Sequence, residues 1–160
     1  MAILTNSGRI AMAMSIKDQL IHLAWGSGSA GWDTVPVPES LDATELLNEV
    51  GRRKATYVNY CEPDEDGEIV VPTGQFTESI DPTNHLYMRF GFDYTDAPVA
   101  AIRELAVMVG SITDPGLPGG QMYFEPADID DPGMLLVIEH ITKFDRSPSV
   151  RQTFEFVVTF

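Results

Sequence analysis

The chain has 160 residues, 44% of them apolar, a length and composition that fit one globular domain (1–160) with a sizeable core. Twenty-four Asp and Glu stand against ten Lys and Arg, a formal net charge of −14. Such a surface repels DNA and anionic membranes, so nucleic acid and membrane are excluded as partners; it favours solubility or a basic partner.

The first stretch, "MAILTNSGRIAMAM", lacks the basic start, apolar block and cleavage site of a secretory signal. No run of the sequence reaches the ~18 apolar residues of a membrane span. Within it, "SGRIAMAMSIKDQ" (7–19) fits a helix or a strand; Ala and Met favour helix, with Asn6 or Ser7 as cap. "LIHLAW" puts Ile21, Leu23 and Trp25 on one side of a predicted strand. "WGSGSAG" lacks the Lys-Ser/Thr ending of a phosphate loop and reads as a glycine-rich turn. "DATELLNEVG" (42–51) predicts a short helix, with Asp42 as cap, Glu45 three residues on and Gly51 as stop.

"ATYVNYC" (55–61) is rich in strand formers. Its Cys61 is the only cysteine, so no intramolecular disulfide and no cysteine metal site is available, and it reads as a small buried hydrophobe. "EPDEDGE" (62–68) offers alternating carboxylates but is too short for a calcium loop of the EF-hand kind. It predicts a solvated hairpin turn into the strand "GEIVV" (67–71), and no metal site is assigned.

"LYMRFGFDY" alternates cleanly, with Leu86, Met88, Phe90, Phe92 and Tyr94 on one face. "AAIRELAVMVG" (100–110) matches both helix and strand periods, and "MLLVIEHITKF" (134–144) begins apolar on both faces. "VRQTFEFVVTF" alternates again, with Val150, Phe154, Phe156, Val158 and Phe160 on one face. The strands of 134–160 therefore complete the chain's own sheet or form an assembly arm carried by Phe154, Phe156 and Phe160. The sum is a mainly β, antiparallel sandwich-like domain with one or two short helices and long Pro- and Gly-rich loops.

Arg52, Arg53 and Lys54 gather three of the few cations just after Asn48 and Glu49. An anion site, a protein contact and a structural clamp all fit that pattern. A clamp at a helix-to-strand joint is the reading taken, with Glu49 paired to Arg52 or Arg53. His22, His85 and His140 lack metal-ligand spacing and read as hydrogen-bonded structural histidines. No nucleophile elbow, zinc-protease motif or Cys/His pair occurs, so no catalytic residue, cofactor or enzymatic activity is assigned.

The order "IHLAWGSG", "ELLNEVGRRKATYV", "PTGQF", an alternating strand and "AAIRELAVMVG" resembles the N-terminal domain of bacteriophage tail-collar and tail-fibre proteins, the part that attaches a fibre to the baseplate. The resemblance covers residues 8–110. It matches His22 to Gly28, Leu47 to Arg52 and Ile102 to Val109, and so adds Arg103 and Glu104 to Asn48, Glu49, Arg52 and Arg53 as clamp or interface residues. Two departures stand out. Ala106 occupies a position that is usually glycine, and the sequence stops at Phe160 where the family usually continues into a long fibre.

The resemblance implies a structural adapter of a tailed-phage virion, made in the host cytoplasm and placed in the tail or baseplate. It implies other tail and baseplate proteins as partners and a homo-oligomer in the virion, and it favours strand for 100–110. The competing reading is a β-sandwich carbohydrate-binding module using Trp25, Trp32, Tyr57 and Tyr60, with calcium at Asp64 and Asp66. A hydrolase built from dispersed carboxylates has no motif to support it.

Overall fold

Thr5 opens the first element. Its hydroxyl accepts the Gly8 amide at 3.1 Å and caps α1 (Asn6–Lys17), while Lys17 in the last turn complements the helix dipole. The ambiguous 7–19 stretch is thus helix, capped one residue earlier than Asn6. In the computed structural model, which describes residues 1–160, α1 belongs to the first of two compact units: Met1–Gln19, Ala55–Phe90 and Thr153–Phe160. The second comprises Leu20–Lys54 and Gly91–Gln152.

The sheet of the first unit uses β3 (Tyr57–Pro63), β4 (Ile69–Val71), β5 (Gly74–Ser79), β6 (His85–Phe92) and β12 (Gln152–Thr159), in the order β12-β6-β3-β5-β4. The alternation read from Leu86 holds for Leu86, Met88, Phe90 and Phe92, all buried, but not for Tyr94, which lies past the end of β6 and is exposed. Cys61 packs with Ile69, Val71, Phe76 and Tyr87, and burial holds its thiol up to about 11, as an inert hydrophobe requires.

The acidic turn differs from expectation. Asp64 closes it, its carboxylate accepting the Asp66 amide and its carbonyl the Gly67 amide. Yet β3 does not pair with β4 across it. The hairpin is β4–β5, and β5 lies between β3 and β4. Gly67 makes that possible: a Cβ there would stand 2.2 Å from the Phe76 carbonyl oxygen of β5.

The second unit holds a sheet ordered β11-β7-β1-β2-β9, from β1 (Ile21–Gly26), β2 (Glu49–Lys54), β7 (Ala101–Val109), β9 (Tyr123–Phe124) and β11 (Met134–Asp145). A small pair joins β8 (Ile112–Thr113) to β10 (Ile129–Asp131). β1 is buried along its whole length and β7 nearly so. Two apolar faces mask the two-residue period, which is why 100–110 also fits a helical pattern. β11 and β12, read together in the sequence, join different sheets.

The helix predicted over 42–51 does not form. That stretch is turns up to residue 48, and β2 begins at Glu49. Its amides are used otherwise. The buried Glu104 carboxylate accepts the Leu47 N–H at 2.8 Å and the Asn48 N–H at 3.3 Å, bonds that an α-helix would give to its own carbonyls. Leu46 meanwhile enters the core beside Ala24, Ala106 and Met108. Tertiary contacts override a weak helical propensity.

Candidate assembly site: the clamped loops of the second unit

Adjacent residues of a strand point to opposite faces, so Arg52 and Arg53 of β2 cannot form one cationic patch. They belong to two separate clamps. Register on the β1 side runs Ala24 opposite Arg52 and Trp25 opposite Gly51, then jumps to Gly26 opposite Glu49. This bulge at Val50 returns Glu49 to the face of Arg52. The two then pair side-on, Nε and Nη2 donating to the two carboxylate oxygens at 2.7 and 2.8 Å. The pairing read from the sequence is present, but a bulged strand makes it rather than a helix end.

Arg52 is 2% exposed and spends its remaining donors on loops: Nη1 reaches Ser111 Oγ and the Pro132 carbonyl, both at 2.8 Å. On the same face of the neighbouring strands lies Glu104, 1% exposed. Gly26 leaves it space, since a Cβ there would meet its Oε1 at 2.4 Å. Glu104 fixes the backbone at Leu47 and Asn48, and Asn48 Nδ2 donates to the Gly28 carbonyl at 3.1 Å.

Arg103 holds the start of the same long loop. Nε and Nη2 bind the Asp33 carboxylate at 2.8 Å each, and Nη1 reaches the Ser27 carbonyl at 3.0 Å. That fork keeps the Asp33 carboxyl below its ordinary range and raises the guanidinium. Farther along, Glu39 accepts the His140 amide at 2.8 Å, which lowers its own titration. His140 Nδ1 lies 2.6 Å from the Val37 carbonyl, and Trp32 stacks on the imidazole with centroids 4.3 Å apart. The loop is therefore pinned at Asp33, Val37, Glu39, Leu47 and Asn48. The side chains of Val35, Val37, Leu41 and Leu47 nonetheless stay exposed: Val37 and Leu47 are held through backbone atoms, and Val35 and Leu41 lie between pinned residues.

The opposite face carries the second clamp. Arg53 pairs with the buried Asp96 carboxylate, which also accepts the Asp93 amide at 2.7 Å. Arg146 converges on the same turn, donating to the carbonyls of Asp93 at 2.7 Å and of Asp96 at 3.2 and 3.3 Å. It also reaches the Val150 carbonyl and Gln152 Oε1, and its guanidinium lies 5.0 Å from the Trp25 ring centroid. Burial lowers its titration. The sequence reading missed Arg146; the available signal was a cation opening the Ser-Pro-Ser loop, between Lys143 and Arg151, in a chain poor in cations.

Other expected residues fall as follows. Trp25 is fully buried and stacked on Phe92 at 3.6 Å, and Tyr60 is 8% exposed, so they cannot offer the aromatic platform of the carbohydrate reading. The Asp64 carboxylate is engaged in its own turn, and no three His, Cys, Asp or Glu side chains converge in a way that could hold a metal ion. Phe154, Phe156 and Phe160 lie on or just past β12, beside β6 of the same chain. Phe156 packs edge-on against Phe90 at 6.2 Å, and the Phe160 amide donates to the Asn84 carbonyl at 2.9 Å.

Of the histidines, His85 meets Thr159 Oγ1 and His140 meets Val37, but His22 breaks the expectation. It is fully buried on β1 between Lys54 and Met108, edge-on to Phe124, and neither ring nitrogen has a hydrogen-bonding partner. Burial, then Arg52 and Lys54, push its titration down to about 4.

No helix of the chain is long and apolar enough to cross a membrane. None of the curated proteins compared with the chain matches it. A family model does: that of the baseplate wedge 3 tail fiber network component, over residues 1–160. The chain belongs to this family. It is a structural component of a phage baseplate, in agreement with the resemblance carried by its three short motifs.

Proposed function

We propose that this baseplate wedge component acts as an adapter, and that the loop over residues 34–47 is the surface on which a neighbouring tail or baseplate protein seats. One observation carries the reading. The loop is held at five points, by half-buried polar contacts at Asp33, Leu47 and Asn48 and by exposed ones to His140 at Val37 and Glu39, yet it exposes Val35, Val37, Leu41 and Leu47. An apolar loop left free would be mobile and would lose entropy on docking. A pinned one is organised before it meets its partner.

Arg103 and Glu104 then serve the interface indirectly, by holding the loop, as do Asn48 and Glu49. Arg52 and Arg53 lock the sheet beneath it. The acidic remainder weakens contact between free subunits, and assembly into the virion brings several copies together. Attachment is by protein contact, with no reaction and no cofactor.

The test is complementation of a phage lacking this gene. A Val35→Glu, Leu41→Glu double variant changes only exposed side chains, so it should melt like the wild type. Particles assembled with it should lack fibres, or lack the protein itself. Normal particles carrying the double variant would overturn the proposal.

A further inference from the structure

The outward face of α1 differs from the rest of the surface. Towards its own unit the helix turns Ala13, fully buried, with Ile10, Ile16 and Lys17 half-buried. The Lys17 amine lies 3.2 Å from Asn59 Oδ1 and 4.0 Å from the Tyr60 ring centroid. Away from it the helix shows Ala11, Met12, Met14 and Ser15 to solvent, preceded by exposed Met1, Ile3 and Leu4. A helix lying on a soluble protein normally turns charge to water. None of these seven side chains is charged.

Charge distribution selects the occupant. No Asp or Glu occurs from Met1 to Lys17, the longest stretch of the chain without one. Beyond it eight Lys and Arg face all twenty-four acids. Two copies with a net charge of −14 repel wherever they bring carboxylates together, and this face carries none until Asp18, the exposed residue that caps its C-terminus. A strongly basic partner would find no anions along the helix to match its own charge. A neutral helix of the same kind fits. Leu4, Gly8, Ala11, Met12 and Ser15 recur at three- and four-residue spacing, so small residues permit close approach while Met and Leu fill the remaining space.

We propose that α1 is a self-association surface, and that the same face of a second copy packs on it about a two-fold axis. The contact is isologous, so each favourable pair forms twice. A 12-residue helix is about 18 Å long. One such pair buries less than the roughly 1,200 Å² of a standard stable interface, so the free dimer is weak, with Kd of order micromolar. Several copies held on one baseplate raise the effective concentration and make the contact persist.

Sedimentation velocity on the full chain tests it. Wild type should pass from monomer to dimer between about 1 and 200 µM. The dimer should tighten as NaCl rises from about 0.05 to 0.5 M, because salt screens the repulsion of the acidic remainder. Met12→Glu and Ala11→Glu should each weaken it about tenfold or more, with unchanged thermal melting. Val99→Glu, also at an exposed site, should leave it intact. A wild type monomeric throughout, a Met12→Glu variant that dimerises normally, or a dimer that salt dissolves would each overturn the proposal. So would a monomeric wild type whose Met12→Glu form is excluded from particles, since a different protein would then cover the face.

Discussion

The two units of the chain hold themselves together by different means. Every buried charged or strongly polar side chain, namely His22, Arg52, Asp96, Arg103, Glu104, Ser111 and Arg146, lies in the second unit. The first unit relies on Cys61, Ile69, Val71, Phe76, Leu86, Met88 and Phe90, with polar bonds kept near its surface, such as Tyr57 to Glu78. The difference follows loop length. The first unit closes with short turns that satisfy their own amides. The second must hold residues 27–48 and 110–133 against a sheet, and their backbone groups need fixed partners. Buried ions are a poor source of net stability, but removing one partner leaves the other buried and uncompensated.

Removing one clamp residue should therefore damage the second unit far more than the equivalent loss in the first. Arg52→Ala strands the Glu49 carboxylate, Ser111 and the Pro132 carbonyl, and should cost about 3–5 kcal/mol. Tyr87→Phe removes the 2.6 Å bond to Glu155, and should cost about 1 kcal/mol. Urea denaturation followed by far-UV circular dichroism reads both units, and tryptophan fluorescence adds the second alone, because Trp25 and Trp32 both lie there. Equal midpoint shifts for the two variants would mean that the clamps hold no more than a surface bond does.

Acid should separate the units next. His22 titrates at about 4 when folded against 6.5 for an ordinary histidine, with burial the main cause. Between those values the unfolded chain takes up a proton that the folded chain refuses, so stability falls as pH falls from 6.5 and levels off near 4. At about 1.4 kcal/mol per pH unit the loss totals about 3 kcal/mol. The carboxyls held low, Asp33 and Asp93 by hydrogen bonds and Arg partners and Glu78 by Tyr57, contribute stability that is lost only at lower pH. His85, lowered by burial, shifts in the same direction as His22. His22→Leu should flatten most of the slope above pH 4.5 as read by tryptophan fluorescence. A slope unchanged in that variant would assign it to other groups.

How much of this was legible follows from the same contrast. β6 announces itself because Leu86, Met88, Phe90 and Phe92 alternate with the exposed Arg89 and with Gly91, and that alternation survives into the fold although Tyr87 on the other face is buried too. The second unit's central strands are buried on both faces, so only the resemblance turned 100–110 toward strand. The Arg52–Glu49 pair was visible as neighbours in sequence, but the bulge that aligns them was not, since it depends on register against β1. Residues 42–51 carry a good cap and stop, yet Glu104, more than fifty positions away, takes the amides a helix needs. Arg146 stayed hidden because most of its partners are backbone carbonyls, which have no sequence signature, and its side-chain partner Gln152 is uncharged.

The smallest effect probes whether the second clamp imposes strain. Ala97 has φ +41°, a left-handed conformation that a side chain disfavours, and it precedes Pro98, which restricts it further. The residue before it is held on three sides: Arg53 and the Asp93 amide take the Asp96 carboxylate, and Arg146 takes its carbonyl. Glycine would remove about 1 kcal/mol of strain, against roughly 0.4–1 kcal/mol for the extra freedom of the unfolded chain. Ala97→Gly should therefore be neutral to slightly stabilising, by at most about 0.5 kcal/mol. The background decides the cause. With Arg53→Ala the turn is free to relax, so the same glycine should become destabilising, as it is at an unstrained site. The two substitutions then couple by about 0.5–1 kcal/mol in a double-mutant cycle. Additive effects would show that Ala97 holds its conformation through the local turn alone, without help from the Arg53 clamp.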